Sequence, residues 1–271
     1  MAKLRINGDS SGYVDLEAPN AASSSTLDLD QVPQKNAATT AFTGSHMIIG
    51  DSTTGNAHAN ADDLVIGNTS SGKRSGLTIV TANDRDGSIM WSDGTSSGNA
   101  NIQGQLVYNH PDNSMRFYTA VSEGMRISGD GYITKPKQPS FNAQRTSNQG
   151  IQGGTTLIFN QARHNTGNHY NTSTGVFTAP VTGDYLFTFK ALCYAFASSE
   201  YLDLYTTVNG TTRNRYEQTG NSGQHTQVVY TEVVNLNAND GFYLYANNRN
   251  NSVTHYSMYG NENHFSGYLL G

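Results

Sequence analysis

Apolar residues in this chain recur at every second position over short runs, and no segment shows the three-to-four spacing of an amphipathic helix. In Tyr185–Tyr194, Tyr185, Phe187 and Phe189 fall on one face and Leu186, Thr188 and Lys190 on the other. That pattern predicts a strand with an aromatic core side and a mixed side suited to a neighbouring subunit. Further strands are expected at 156–159, 175–178, 202–208, 228–236, 242–246 and 265–270, with turn residues between them. Together they make a β-sandwich. Asn209-Gly210 predicts a hairpin turn of left-handed backbone, and Asn239-Asp240-Gly241 a second tight turn. The alternation in Leu202-Asp203-Leu204-Tyr205 points Leu202 and Leu204 inward.

The same alternation continues upstream in shorter pieces. Strands are expected at 47–51, 64–68, 77–80, 88–91, 105–108, 115–118 and 125–127, each followed by a Gly, Asn or Asp turn. One chain offers these strands no core, whereas three copies wound or stacked about an axis bury them. Residues 1–45 hold two short strands, Leu4–Ile6 and Tyr13–Leu16, and then a stretch of small polar residues with too little apolar surface to fold alone. The chain therefore reads as four parts: an extended attachment segment (1–45), a β-rich shaft or neck (46–134), a proline linker (135–139) and a head (140–271). The linker, Lys135-Pro136-Lys137-Gln138-Pro139, opposes both helix and central strand and suits a rigid connector.

Composition narrows the partners. With 35% hydrophobic residues and 28 glycines, a modest core plus an extended part fits better than one compact globule. Charged residues are only 14%, with 16 Lys and Arg against 21 Asp and Glu and a net charge of -5, so nothing draws the chain to a phosphate backbone. No nucleic-acid partner is expected. Cys193 stands alone, makes no intrachain disulfide and reads as a small buried hydrophobe. Met1–Ile6 carries no apolar core of a signal peptide or anchor, so no membrane insertion is expected and assembly inside a host cytoplasm is.

No catalytic constellation stands out, and the chain reads as a non-enzyme. His164, His169, His225, His255 and His264 lie in polar loops or beside the last hairpin, and no paired cysteines or phosphate-binding glycine loop occur. Glu200, Asp203 and Glu217 approach one another if a hairpin pairs them, which leaves a polysaccharide-degrading spike as the enzymatic alternative. Hard oxygen ligands at Asp203, Asn221, Asp240 and Glu262 leave calcium possible, although their spacing matches no calcium loop. Arg213, Asn214, Arg215 and Tyr216, together with Asn247, Asn248, Arg249, Asn250 and Asn251, are receptor-binding candidates, because such residues bind sugars by stacking and amide hydrogen bonds.

An ordered set of residues carries a resemblance over half the chain. Phe141 and Ala143 come first, then Phe159-Asn160, Asn168, Tyr170-Asn171, Gly175, Phe177-Thr178-Ala179-Pro180, Gly183, Tyr185 and Phe187. Asn209-Gly210, Leu236, Asn239-Asp240 and Phe265-Ser266-Gly267-Tyr268-Leu269-Leu270 complete it. The run resembles the globular head of complement C1q and its relatives. The resemblance implies a C1q/TNF-like jelly roll that assembles as a homotrimer, with Tyr185, Phe187, Phe189, Phe242, Phe265 and Tyr268 in the core or the trimer interface. Relatives of this head also hold calcium near the trimer axis. Residues 64–133 are similar to the shaft and neck of bacteriophage fibres, in phrases such as Trp91-Ser92-Asp93-Gly94-Thr95 and Met125-Arg126-Ile127. The expected protein is thus an all-β trimeric fibre of a tailed phage virion. Residues 1–45 would attach to another virion protein, and the distal head to a host surface glycan or protein. A capsid decoration or tail connector fibre, with a mainly trimerising head, is the structural alternative.

Overall fold

The computed structural model describes residues 3–7, 13–17, 47–50, 64–67, 74, 76–94, 102–151, 153–194, 201–219, 225–248, 256–258 and 261–271. They fall into two compact units, Met1–Thr78 and Ile79–Gly271. In the first, β1 (Lys3–Asn7) and β2 (Tyr13–Glu17) pair antiparallel, with Lys3 opposite Glu17 and Asn7 opposite Tyr13. β3 (Met47–Gly50) and β4 (Leu64–Gly67) pair parallel and in step, Met47 beside Leu64 and Gly50 beside Gly67. Two copies of an apolar-apolar-apolar-Gly phrase thereby lie side by side. Parallel neighbours need a crossover of about a dozen residues, and residues 51–63, which join them in sequence, lie outside the described residues. The rest of the 1–45 segment lies outside the described residues.

The strand expected at 77–80 does not form; this stretch joins no ladder, and Leu77 and Val80 are exposed. A strand without a partner has no place for its backbone groups except water.

The second unit begins with an antiparallel meander of β5 (Asp86–Trp91), β6 (Gly104–Asn109), β7 (Ser114–Thr119), β8 (Ser122–Ile127) and β9 (Ile133–Thr134). Its register sorts side chains by face. Ile89, Leu106, Phe117 and Met125 form one cross-strand row, and Tyr108, Met115, Ile127 and Ile133 form the next on the same face. Trp91 shares that face and covers Gly104, where a Cβ would stand 3.3 Å from the indole. Ser88, Val107, Arg116 and Arg126 occupy the other face, where Arg116 pairs with Asp112 at 2.6 Å and Arg126 with Glu123 at 2.8 Å. The β7–β8 turn puts Ala120 and Val121 at φ 46° and 64°. Both sit in the left-handed region, which a β-branched residue resists.

The head is a sandwich of thirteen strands: β10 (Ser140–Gln144), β11 (Gln149–Ile151), β12 (Gly154–Thr156), β13 (Gln161–Thr166), β14 (Tyr170–Asn171), β15 (Val176–Thr178), β16 (Gly183–Tyr194), β17 (Tyr201–Val208), β18 (Thr211–Thr219), β19 (Thr226–Leu236), β20 (Gly241–Asn248), β21 (Tyr256–Met258) and β22 (His264–Leu269). One sheet runs β11-β21-β16-β22-β10-β13 with β19 also on β16; the other runs β14-β15-β20-β17-β18 with β12 also on β20. The first and last long strands of the head, β10 and β22, are neighbours, as a jelly-roll winding requires. The hairpin at Asn209-Gly210 has both residues at positive φ, 50° and 83°, and closes β17 onto β18.

Aromatic rings fill the space between the sheets. Phe141 stacks on Tyr170 at 4.5 Å and meets Phe265 edge-on at 4.9 Å, while Phe187 stacks on Phe242 at 3.9 Å. Offset and edge-on contacts of this kind stabilise by about 0.5–1.5 kcal/mol each beyond burial. Tyr185 is buried, and its hydroxyl reaches back to donate to the Val181 carbonyl at 2.7 Å, fixing the entry to β16. Cys193 is buried in the same core, and burial pushes its thiol up to about 12. The linker is fastened rather than loose: Gln138 Nε2 donates to the Leu269 carbonyl at 2.7 Å, and Leu269 N–H donates to the Pro139 carbonyl at 3.0 Å.

Gly267 makes this packing feasible, since a Cβ there would stand 2.5 Å from Phe141 and 2.7 Å from Phe187. Gly267→Ala is expected to destabilise the head by about 1–3 kcal/mol, the usual range for overpacking, read as a lower melting temperature. Replacing Ala120-Val121 by Asn-Gly should raise the melting temperature of the full chain, because the strain of a left-handed non-glycine pair, roughly 1–3 kcal/mol per residue, is relieved.

Candidate functional site

The two sheets of the head present two chemically different outer faces. On the first sheet, Ser140, Tyr268, Leu186 and Val233 form one cross-strand row; Asn142, Ser266, Thr188 and Thr231 form the next; Gln144, His264, Lys190 and Val229 form a third. Val229, Val233 and Tyr268 are 62%, 56% and 43% exposed. The middle row is a hydroxyl and amide ladder in which Asn142 Nδ2 donates to Ser266 Oγ at 2.8 Å and the Thr231 hydroxyl lies 3.2 Å from that of Thr188. Asn142 Oδ1 is buried without a hydrogen-bond partner. This face is apolar at its margins and narrowly polar in the middle.

The aromatic residues singled out in the sequence therefore separate. Tyr185, Phe187, Phe189, Phe242 and Phe265 are buried between the sheets, whereas Tyr268 stands on the outer face beside His164, ring centroids 6.3 Å apart.

On the second sheet, Asn247, Asp203 and Glu217 form one row across β20, β17 and β18, and Tyr245, Tyr205 and Arg215 form the adjacent row. The Asp203 side chain is only 3% exposed and takes an ion pair from Arg215 Nη2 at 2.9 Å. The same nitrogen meets Glu217 Oε2 at 2.6 Å, and the Tyr205 hydroxyl donates to Asp203 Oδ2 at 3.2 Å. Burial, followed by the neighbouring Asp203 charge, raises the Tyr205 phenol above its ordinary value, which keeps it a proton donor. Two separately named candidates, Arg215 and Asn247, are thus brought to one surface.

The other candidates go elsewhere. Arg213, Asn214, Arg215 and Tyr216 lie in strand β18 and not in a loop, so alternation sends Asn214 and Tyr216 to the opposite side. There Tyr216 packs on Tyr230 at 4.1 Å and Asn214 Nδ2 donates to Glu232 at 2.6 Å, tying the edge strands of the two sheets together. Tyr230 donates to the same carboxylate, and burial raises its phenol well above the ordinary range. Asn248 closes β20, and Arg249, Asn250 and Asn251 lie outside the described residues.

The calcium candidates do not converge. Asp240 Oδ1 accepts from Asn209 Nδ2 at 2.7 Å and Oδ2 from the Asn237 N–H at 2.8 Å, so both oxygens are engaged in the turn at the far end of β17 from Asp203. Those bonds, Asn209 first, hold its carboxyl below the ordinary value. Glu262 sits in the loop before β22, and Asn221 lies outside the described residues. Among the described residues, no three His, Cys, Asp or Glu side chains gather to hold a metal ion. The hairpin does pair Asp203 with Glu217, but Arg215 Nη2 stands between them where a hydrolase keeps its sugar oxygen or water. Glu200 lies outside the described residues.

One concavity was not singled out in the sequence. Asn160, Gln161, Asn165, Asn168, Asn171 and Thr172 line an open hollow of about 560 Å³ beside β13 and β14. Asn168 adopts φ 58°, and Asn165 clamps the backbone of Tyr170 through both its amide atoms, at 2.8 and 3.2 Å. The signal was the density of Asn between 160 and 171, which reads equally as turn chemistry.

His264 links pH to the first face. Burial, then Lys190 and Arg163, holds its imidazole below the ordinary 6.5. The folded head thus favours the neutral ring, and the unfolded chain takes up the proton first as pH falls. Stability linked to His264 is complete above the unfolded value and is lost as pH drops below about 6.5 through the folded value. Melting curves of His264→Gln are expected to depend less steeply on pH than wild type between about pH 7 and about pH 5.

The globular domain of zebrafish complement 1qA protein is 19% identical, matching 49% of this chain and 98% of its own at a TM-score of 0.40. Eiger TNF from S. frugiperda is 12% identical over 50% of this chain and 94% of its own, and murine APRIL 12% over 49% and 100%, both at 0.38. No curated protein matches the chain. The model of the C1q domain matches residues 140–270, so a C1q/TNF-like jelly-roll domain occupies that part of the chain.

Proposed function

We propose that this chain is a homotrimeric binding protein, and within that class a fibre of a tailed bacteriophage whose distal head binds a glycan or protein on the host cell. One observation carries the oligomeric part. The first sheet of the head already has its inner face filled by aromatic core, yet its outer face leaves Val229, Val233 and Tyr268 in water. A cyclic assembly buries such a face, and a monomer does not. A C1q/TNF-like domain is a ligand- or receptor-binding module of a family that assembles as oligomers, often trimers, and is generally non-catalytic.

The fibre reading is supported by the order of parts: paired short strands, a meander sheet, a proline linker hydrogen-bonded to the head, then the head itself. Strands occupy the place that a Gly-x-y stalk holds in collagen-tailed proteins. On this reading residues 1–45 dock to another virion protein, and three weak ligand sites act together through avidity. The ligand surface is the second sheet, where Arg215, Tyr205, Tyr245 and Asn247 offer charge, rings and an amide.

Sedimentation should return three chains per particle for wild type, and Val233→Asp should weaken the association with an unchanged far-UV spectrum. One chain per particle in wild type would remove the proposal. Replacing residues 247–251 by Gly and Ser should reduce adsorption to host cells at least several-fold, and unchanged adsorption would take the ligand away from that loop.

A further inference from the structure

Among the described residues, the β5–β9 sheet has an apolar face without a covering layer. Ile89, Trp91, Leu106, Phe117, Met125 and Ile127 share it, and none of the six is buried; Trp91 is 58% and Ile89 41% exposed. At the Gly87 corner Ile79 and Thr81 lie 3.5 Å from where a Cβ would stand, but among the described residues no strand of the head forms a second layer there. The opposite face buries only Val107 and Ser114, at 4% and 1% exposure, and is otherwise largely polar and ionic. Asp112, Arg116, Glu123 and Arg126 form a network with contacts of 2.6, 2.8 and 3.5 Å. A sheet of this pattern is half of a two-layer structure.

We infer that the missing layer is the same sheet from other copies of the chain, so that neighbouring meanders close into a prism with apolar interior and the Arg–Glu pairs outside. The inference rests on the homo-oligomeric reading above. What selects a further copy is continuity: Gln138 and Pro139 hydrogen-bond to Leu269 at the base of the head, so the sheet enters the head without slack and shares its symmetry. Equivalent sheets then meet at equal heights about one axis, each presenting the same rows. Residues 1–78 are a poor substitute, since their 18–46 stretch carries few bulky apolar side chains among many Ser, Ala, Asn and Asp.

Trp91 is the one tryptophan and lies on this face, so its emission reports the cover directly. In the full-length assembled protein, acrylamide quenching of Trp91 should be several-fold weaker than in the urea-unfolded chain, with blue-shifted emission. Phe117→Asp should restore quenching while leaving the head's melting transition in place. A multi-chain particle whose Trp91 quenches as freely as the unfolded chain would overturn the inference and leave the trimeric head standing. A single-chain particle would instead sink the head reading itself. Val233→Asp separates the remaining cases. Chains that stay associated with Trp91 protected, or that separate with Trp91 exposed, both support a cover made of other copies. Separated chains with Trp91 still protected would place the cover in residues 1–78 and overturn it.

Discussion

The contact between Gly267 and the rings of Phe141 and Phe187 is the constraint on which the head depends. β22 lies between β10 and β16, and Phe141 and Phe187 come from those two neighbours. The two rings close over β22 only because its middle residue has no side chain. With them in place, Phe265 and Phe242 lock against the same cluster and the second sheet settles at fixed distance. Everything on the outer faces inherits its position from that cluster. The rows that carry Leu186 and Tyr268, or Asp203 and Arg215, are in register because the inner rows are.

Alternation made much of this legible. Tyr185, Phe187 and Phe189 announced both β16 and its buried side, and Asn209-Gly210 announced the hairpin with its left-handed backbone. β18 escaped because Thr-Thr-Arg-Asn-Arg-Tyr-Glu-Gln-Thr has almost no apolar residue with which to mark a face. It is an edge strand whose backbone ladder is to β17 alone, so its sequence records solvent more than packing. The candidate residues Arg213, Asn214, Arg215 and Tyr216 are thereby members of a strand that face opposite ways in turn. The hairpin made the approach of Asp203 and Glu217 legible, but not Arg215 between them, since periodicity within a strand does not show which residue of the partner strand reaches across.

The meander before the head shows the converse. Its four longer strands were legible one by one, but not β9, nor the sorting of apolar and ionic rows, which depends on register and on the irregularity between Phe117 and Tyr118. Leu77–Val80 shows how far propensity alone carries: a run of suitable residues is a strand only where a ladder receives it.

The fastening of Pro139 to Leu269 also decides how the head bears load. β10 is the first strand reached from the linker and is flanked on both sides by antiparallel ladders, to β22 and to β13. A pull on the chain at its entry to the head would run along the axis of β10, so the hydrogen bonds of both ladders would be strained together in shear instead of being unzipped one at a time. With the entry strand enclosed by a neighbour on each side, one strand in from the rim, tension at the entry meets two ladders at once.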